Sequence, residues 1–301
     1  VELSREEKEN LLVLLQEQAD RIKFNYIDTL FLDNGPVLDG CLNDISRKNY
    51  PKHIEFLNAG ADYTERAFIA GNRTGKSLTG LFELVTHCTG KYPQWWKGKR
   101  FNRPVQCWLA GDRGEIIRDS LQQDLIGRNG RGTGLIPKDL IISTSALQGT
   151  NNGIGTYFIK HISGGTSQIV VKTYQAGKDA FEAAKIDVCM LDEECPLTIY
   201  IECLMRVMTT GGTVYLTFTP DSGLTDTVLH FLEKSKPGEQ ERFIRMVSWD
   251  DVPHLSEFAK KSLIATIPPH LVDVKTKGIP YLGSGAIYPI PESDISCEPF
   301  E

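Results

Sequence analysis

The chain has 301 residues, 41% hydrophobic and 24% charged, which suits one large α/β domain with an appendage and an ordinary globular composition. Its formal net charge of −6 argues against autonomous DNA binding by the whole surface. No apolar run approaches the roughly 18 residues of a membrane span and no signal peptide opens the chain; the seven cysteines form no C-x-x-C pair, so neither a zinc site nor a disulfide framework is suggested, and a reducing cytosol fits.

Ser4 to Glu7 form a capping box, and Leu11, Leu12, Leu15, Ala19 and Ile22 follow at helical spacing. This predicts an amphipathic helix to about Lys23. Residues 33–36 (Asp-Asn-Gly-Pro) read as a turn. Tyr50–Gly60 reads as a short helix with a Pro start and a Gly stop. Residues 1–60 are therefore expected to be a helical lead-in or lid, 61–250 a core, and 251–301 a helical segment and linker.

Glu65–Ala70 looks like a buried strand, and a helical pattern begins at Ser77. Between them lies Ala70-Gly71-Asn72-Arg73-Thr74-Gly75-Lys76-Ser77, a Walker A phosphate loop with Ala in place of the first Gly. Strand, loop and helix in this order let backbone N–H groups at a helix N-terminus cradle phosphate. Lys76 is placed to reach the β- and γ-phosphates of ATP, and the Ser77 hydroxyl to ligate Mg2+. Arg73 is a candidate charge stabiliser acting in cis, the alternative being an Arg supplied in trans by a neighbouring subunit.

From Leu84 to Gly111 there is no acid, while Lys91, Lys97, Lys99, Arg100 and Arg103 alternate with Tyr92, Trp95, Trp96 and Phe101. Such a loop either meets phosphates or a partner, or simply packs its own aromatic residues. Pro104–Ala110 is a strand candidate, followed by a helix near Arg113–Ile126. Gly153–Lys160 and Gln168–Tyr174 read as a hairpin around Gly164 and Gly165.

Asp187–Leu191 is an apolar strand ending in Asp192, Glu193 and Glu194. Acids at the carboxyl end of a buried parallel strand match a Walker B motif. Asp192 is the candidate Mg2+ ligand. Glu193 is the candidate base for the attacking water, with Glu194 the weaker alternative. A helix over Pro196–Met208 and strands over Gly212–Thr219 and Arg242–Ser248 follow. Thr217 and Thr219, at the end of the strand after Walker B, either sense the γ-phosphate or are plain strand-end residues. Alternating elements predict an α/β fold of P-loop NTPase type (RecA/ASCE-like), with a parallel-rich sheet and helices on both faces.

Taken together, Glu65–Ser77, Leu191–Pro196, Thr217–Pro220, Ser248–Leu255 and Gly278–Pro289 resemble the ATPase domain of the large terminase subunit of tailed bacteriophages. The resemblance spans Tyr50 to Pro289. It implies an ATP- and Mg2+-dependent motor that translocates double-stranded viral DNA into a procapsid. The motor would work as a homo-oligomeric ring on the portal protein, with the small terminase subunit, in the host cytoplasm and not in the mature virion. Family members carry a C-terminal nuclease domain, which would begin near Glu301; Asp250 and Asp251 alone are too few for a nuclease site, so nuclease activity is not expected. Other P-loop readings are a helicase-like DNA-dependent ATPase, a small-molecule kinase and a nucleotide-binding regulator. The segment Tyr50–Phe56 and Arg66 are the expected neighbours of adenine.

Overall fold

A computed structural model describes residues 25–33, 46–128, 132–182, 184–233 and 241–281. The predicted N-terminal helix with its capping box, most of the 33–36 turn, and the closing segment from residue 282 onward lie outside the described residues.

Helix α1 (Pro51–Asn58) has its Pro in the first turn, where a missing N–H costs no intrahelical bond. Strand β1 (Glu65–Ala70) is buried along its whole length, as central parallel strands are. Its side chains alternate between two cores. Phe68 and Ala70 join one with Leu81, Phe82 and Val85 of α2 (Lys76–Thr89). Ala67 and Ile69 join the other, with Ile199, Tyr200 and Cys203 of α5 (Leu197–Met208) and Phe231 of α6 (Asp226–Leu232). The period of two along the strand thus places helices on both faces. Between α2 and α5 run β2 (Gln106–Gly111), α3 (Gly114–Asp119), α4 (Leu121–Ile126), β3 (Ile141–Ala146), β4 (Ile154–Lys160), β5 (Thr166–Thr173) and β6 (Val188–Asp192); β7 (Thr213–Phe218) precedes α6, and β8 (Phe243–Val247), α7 (Glu257–Ile264) and α8 (Val272–Lys277) follow it.

The sheet order is β3-β4-β5-β2-β6-β7-β1-β8. All neighbours from β5 to β8 are parallel, and the β3-β4-β5 edge is antiparallel. One strand, β7, separates β1 from β6. The ends of the Walker A and Walker B strands therefore flank the end of β7, at the sheet's carboxyl edge where open α/β sheets bind ligands.

One local reading differs from expectation, and one strand had no sequence reading. The helix expected near Arg113–Ile126 is split, because Ser120 leaves helical geometry at φ −119° and ψ −83°; Ser offers its backbone alternatives to a helix. Strand β3 carries no apolar alternation, with Ser143, Thr144 and Ser145 on an edge. It takes its register from β4 rather than from a pattern of its own.

Candidate active site

The loop after β1 turns sharply. Arg73 sits at φ 62° and Gly75, which caps α2, at φ 87°; glycine reaches that left-handed conformation without a Cβ clash. The Thr74 hydroxyl donates to the Gly71 carbonyl at 2.9 Å. Gly71 N–H donates to Val247 O at 3.0 Å and Asn72 N–H to Lys275 O at 2.8 Å, so β8 and α8 support the loop from outside. A Cβ at Gly71 would lie 2.5 Å from the Thr276 carbonyl oxygen, and only glycine permits that approach. Lys76 opens α2 and is largely buried, whereas Arg73 is exposed.

Asp192, at the end of β6, is buried and accepts a hydrogen bond from the Thr217 hydroxyl at 2.7 Å. Burial, then the Glu193 charge, push its carboxyl up to about 6, against hydrogen bonds from Thr217 and Ser77 and the Lys76 charge. The Glu193 carboxylate lies 3.5 Å from Lys76 Nζ. Glu193 adopts φ 61°, held by its N–H to Thr217 O at 3.0 Å and by the Tyr174 hydroxyl on the preceding carbonyl at 2.9 Å. Glu194 turns away, accepting from the Thr225 hydroxyl at the start of α6. The Thr219 hydroxyl donates to Ala70 O at 2.7 Å and lies 3.0 Å from the Asn72 side-chain amide.

The fold thus brings Lys76, Ser77, Asp192, Glu193, Thr217 and Thr219 together from three parallel strand ends. Ser77 and Asp192 offer a hydroxyl and a carboxylate side by side. Among the described residues no three His, Cys, Asp or Glu side chains converge. One carboxylate with one hydroxyl suits Mg2+ carried by substrate phosphates, which needs few protein ligands.

A cavity of about 530 Å³ adjoins the loop, lined in part by Tyr50, His53, Lys76, Ser77 and His254. Tyr50 and His53 fall where an adenine neighbour was expected. Arg66 does not. It is fully buried and paired with Glu83 through both guanidinium NH groups at 3.0 and 2.5 Å, so it cannot meet a nucleotide. In the acid-free 84–111 loop, Trp95 and Trp96 pack on Phe82, and Tyr92 and Phe101 on His87. Arg103 pairs with Asp187, and Arg100 stacks on Tyr92; these contacts favour the packing reading. Asp251 is held by Ser248 and Lys52, a structural role. Trp249 and His254 lie in the Ser248–Leu255 segment that resembles the terminase pattern, and His53 in the expected adenine segment, but nothing in the sequence indicated that all three contact the loop backbone.

The family described as "Terminase large subunit, T4likevirus-type, N-terminal" matches residues 67–295. A "Terminase, large subunit" of Salmonella phage P22 is 36% identical across 99% of this chain, and another from Enterobacteria phage LP7 is 38% identical over 37% of it. This chain spans about 60% of the P22 protein's length. A structure of the large terminase from the thermophilic bacteriophage D6E aligns with 78% of this chain and 53% of its own, at TM-score 0.53 and 14% identity. Its complex with ADP aligns with 77% and 52%, at TM-score 0.53 and 12% identity; these likenesses concern the fold. With that fold and a family match over most of its length, the chain belongs to the N-terminal family of large terminase subunits.

Proposed function

We propose that this chain hydrolyses ATP and forms the motor half of a machine that drives double-stranded DNA into a viral procapsid. The observation that carries the hydrolytic reading is the meeting of Lys76 and Glu193 at 3.5 Å beside the Asp192–Thr217 pair. A cation and a carboxylate that reach one point from two strand ends mark the place where a γ-phosphoryl group and its attacking water would lie, with the two side chains moving apart to admit them. A kinase site would need a second pocket for its acceptor.

Residues 70–77 hold the phosphates through backbone N–H groups at the start of α2. Lys76 neutralises charge that develops on the γ-phosphoryl oxygens. Glu193 orients the water and takes its proton as the P–O bond forms, while ADP departs with the broken β–γ bond. Ser77 and Asp192 would hold Mg2+, which when bound supplies charge neutralisation between the β- and γ-phosphates. Arg73, exposed on the loop, stands where it can add a further positive charge. Family membership supports the DNA-packaging setting: portal protein, small terminase subunit and a ring of copies as partners, in the host cytoplasm.

Lys76→Ala should lower ATP hydrolysis at least ~10²-fold, the usual effect of removing a preorganised charge stabiliser, with an unchanged melting temperature. Phosphate release measured with and without double-stranded DNA, portal and small subunit tests the setting. Near-normal turnover in Lys76→Ala would overturn the hydrolytic reading, and indifference to all three partners would overturn the motor reading.

A further inference from the structure

Three ring N–H groups from outside the phosphate loop point at three consecutive loop carbonyls. Trp249 Nε1 donates to Asn72 O at 2.7 Å, His254 Nε2 to Arg73 O at 2.7 Å, and His53 Nε2 to Thr74 O at 2.8 Å. Trp249 and His254 lie on the segment after β8, and His53 on α1. A carbonyl only accepts, so each imidazole must carry its proton on Nε2. His254 Nδ1 lies 2.7 Å from the Tyr50 hydroxyl, whose ring is stacked on the imidazole. His53 is enclosed by Phe31, Tyr50 and Phe68, which fixes its ring plane.

The consequence follows from peptide geometry. In a planar trans peptide the C=O of one residue and the N–H of the next point in opposite directions. Holding the carbonyls of Asn72, Arg73 and Thr74 outward therefore turns the N–H groups of Arg73, Thr74 and Gly75 inward. Among the described residues no backbone carbonyl accepts from those three N–H groups. They are donors aimed at the place where a phosphate would lie.

We propose that Trp249, His254 and His53 are positioning residues that set the phosphate loop by its carbonyls, so that its inward N–H groups are preorganised for a nucleotide's phosphates. This rests on the reading of residues 70–77 as a nucleotide phosphate site. It adds that the loop's shape is imposed from outside the motif, by α1 and by the segment after β8. Ground state and transition state share these N–H contacts. Loosening them weakens binding more than it slows chemistry.

The test uses the full chain and ADP as the binding probe, with ATP for turnover. Trp249→Phe and His254→Phe keep an aromatic ring and remove the N–H donor to the loop; His254→Phe also removes the Nδ1 partner of the Tyr50 hydroxyl. Each should raise the Kd for ADP and the KM for ATP about 3- to 10-fold, the effect of one lost hydrogen bond, with kcat within about twofold. His254→Gln, whose side-chain amide can still donate, should restore both values to within about twofold. A fall in kcat at constant KM would mark a general structural role and overturn the proposal. So would ADP affinity unchanged in both Phe variants, or no rescue by Gln. Wild-type chain and Lys76→Ala are measured alongside. If the wild type binds no ADP, or Lys76→Ala binds it equally well, the phosphate-site reading itself fails, and the positioning proposal with it. If Lys76→Ala binds weakly while both Phe variants bind normally, only the positioning proposal fails.

Discussion

Glu193 and Glu194 are neighbours in sequence whose side chains meet different partners. Glu193 faces Lys76 from a left-handed backbone position, and Glu194 faces Thr225 at the start of α6. A non-glycine residue at φ 61° is strained, and such strain persists where surrounding contacts over-determine it. Glu193→Gln should therefore bind ATP with Mg2+ normally and lose hydrolysis, because an amide cannot take a proton from water. Glu194→Gln should retain most turnover. Single-turnover measurements with both variants decide the assignment, and an essential Glu194 would reverse it. His53 gives a pH-dependent outcome. Burial, opposed by its bond to Thr74 and modified by the facing His254 and Asp251, lowers its pKa from 6.5 to about 4. Between those values the unfolded chain binds a proton that the folded chain does not, so this group's contribution to stability falls as pH drops through that window. Urea unfolding at pH 7.5 and pH 5 should show a smaller pH-dependent loss in His53→Gln than in the wild type. Equal losses would remove His53 from the account.

At the scale of elements, the P-loop helix is tied to its strand by charge as well as by packing. Arg66 of β1 and Glu83 of α2 are both fully buried, with His87 3.2 Å from the same carboxylate. Removing one member of such a pair leaves an uncompensated buried charge, at a cost of about 3–5 kcal/mol. Glu83→Ala should lose about that much in urea unfolding, and a loss under about 1 kcal/mol would mean the pair is relaxed by water. The sequence around this pair also shows what can be read without a structure. The strands β1 and β6 were legible from their apolar stretches Ala67–Ala70 and Val188–Leu191, because central parallel strands are rich in apolar residues. The motifs at their ends were legible because phosphate chemistry restricts residue types. Strand β3 was not, since an edge strand needs no apolar face. Arg66 was misread as a nucleotide contact because a cation before a phosphate loop gives no sign of its direction; only the pairing with Glu83, 17 residues away, turns it into the core. The segments holding His53, Trp249 and His254 were legible, but their contacts with the loop were not, for a related reason. Their partners are backbone carbonyls, and a carbonyl leaves no residue-type signature.

At the scale of the whole molecule, three separate stretches of chain converge behind the phosphate loop. The Thr219 hydroxyl joins the end of β7 to Ala70 O and lies beside the Asn72 side chain. Asn72 N–H donates to Lys275 O on α8, and Lys275 Nζ returns to Asp221, two residues beyond Thr219. The phosphate loop is thus hydrogen-bonded both to the chain after β7 and to α8, and on the proposed function a change in the loop would pass to both. Within the protein, the Thr217 hydroxyl meets Asp192 and the Thr219 hydroxyl meets the loop itself. Thr219→Val keeps the β-branched shape and removes the hydroxyl. It leaves Ala70 O without that donor, a cost of about 1–3 kcal/mol, so the variant should first be shown to be folded at the assay temperature. ATP binding should then change less than about threefold, because the loop's inward N–H groups keep their supports from Trp249, His254 and His53. DNA packaged per ATP consumed should fall clearly when the substitution is placed in the full-length motor with procapsids. Packaging at the wild-type rate and wild-type ATP consumption would show that Thr219 only closes the end of a strand.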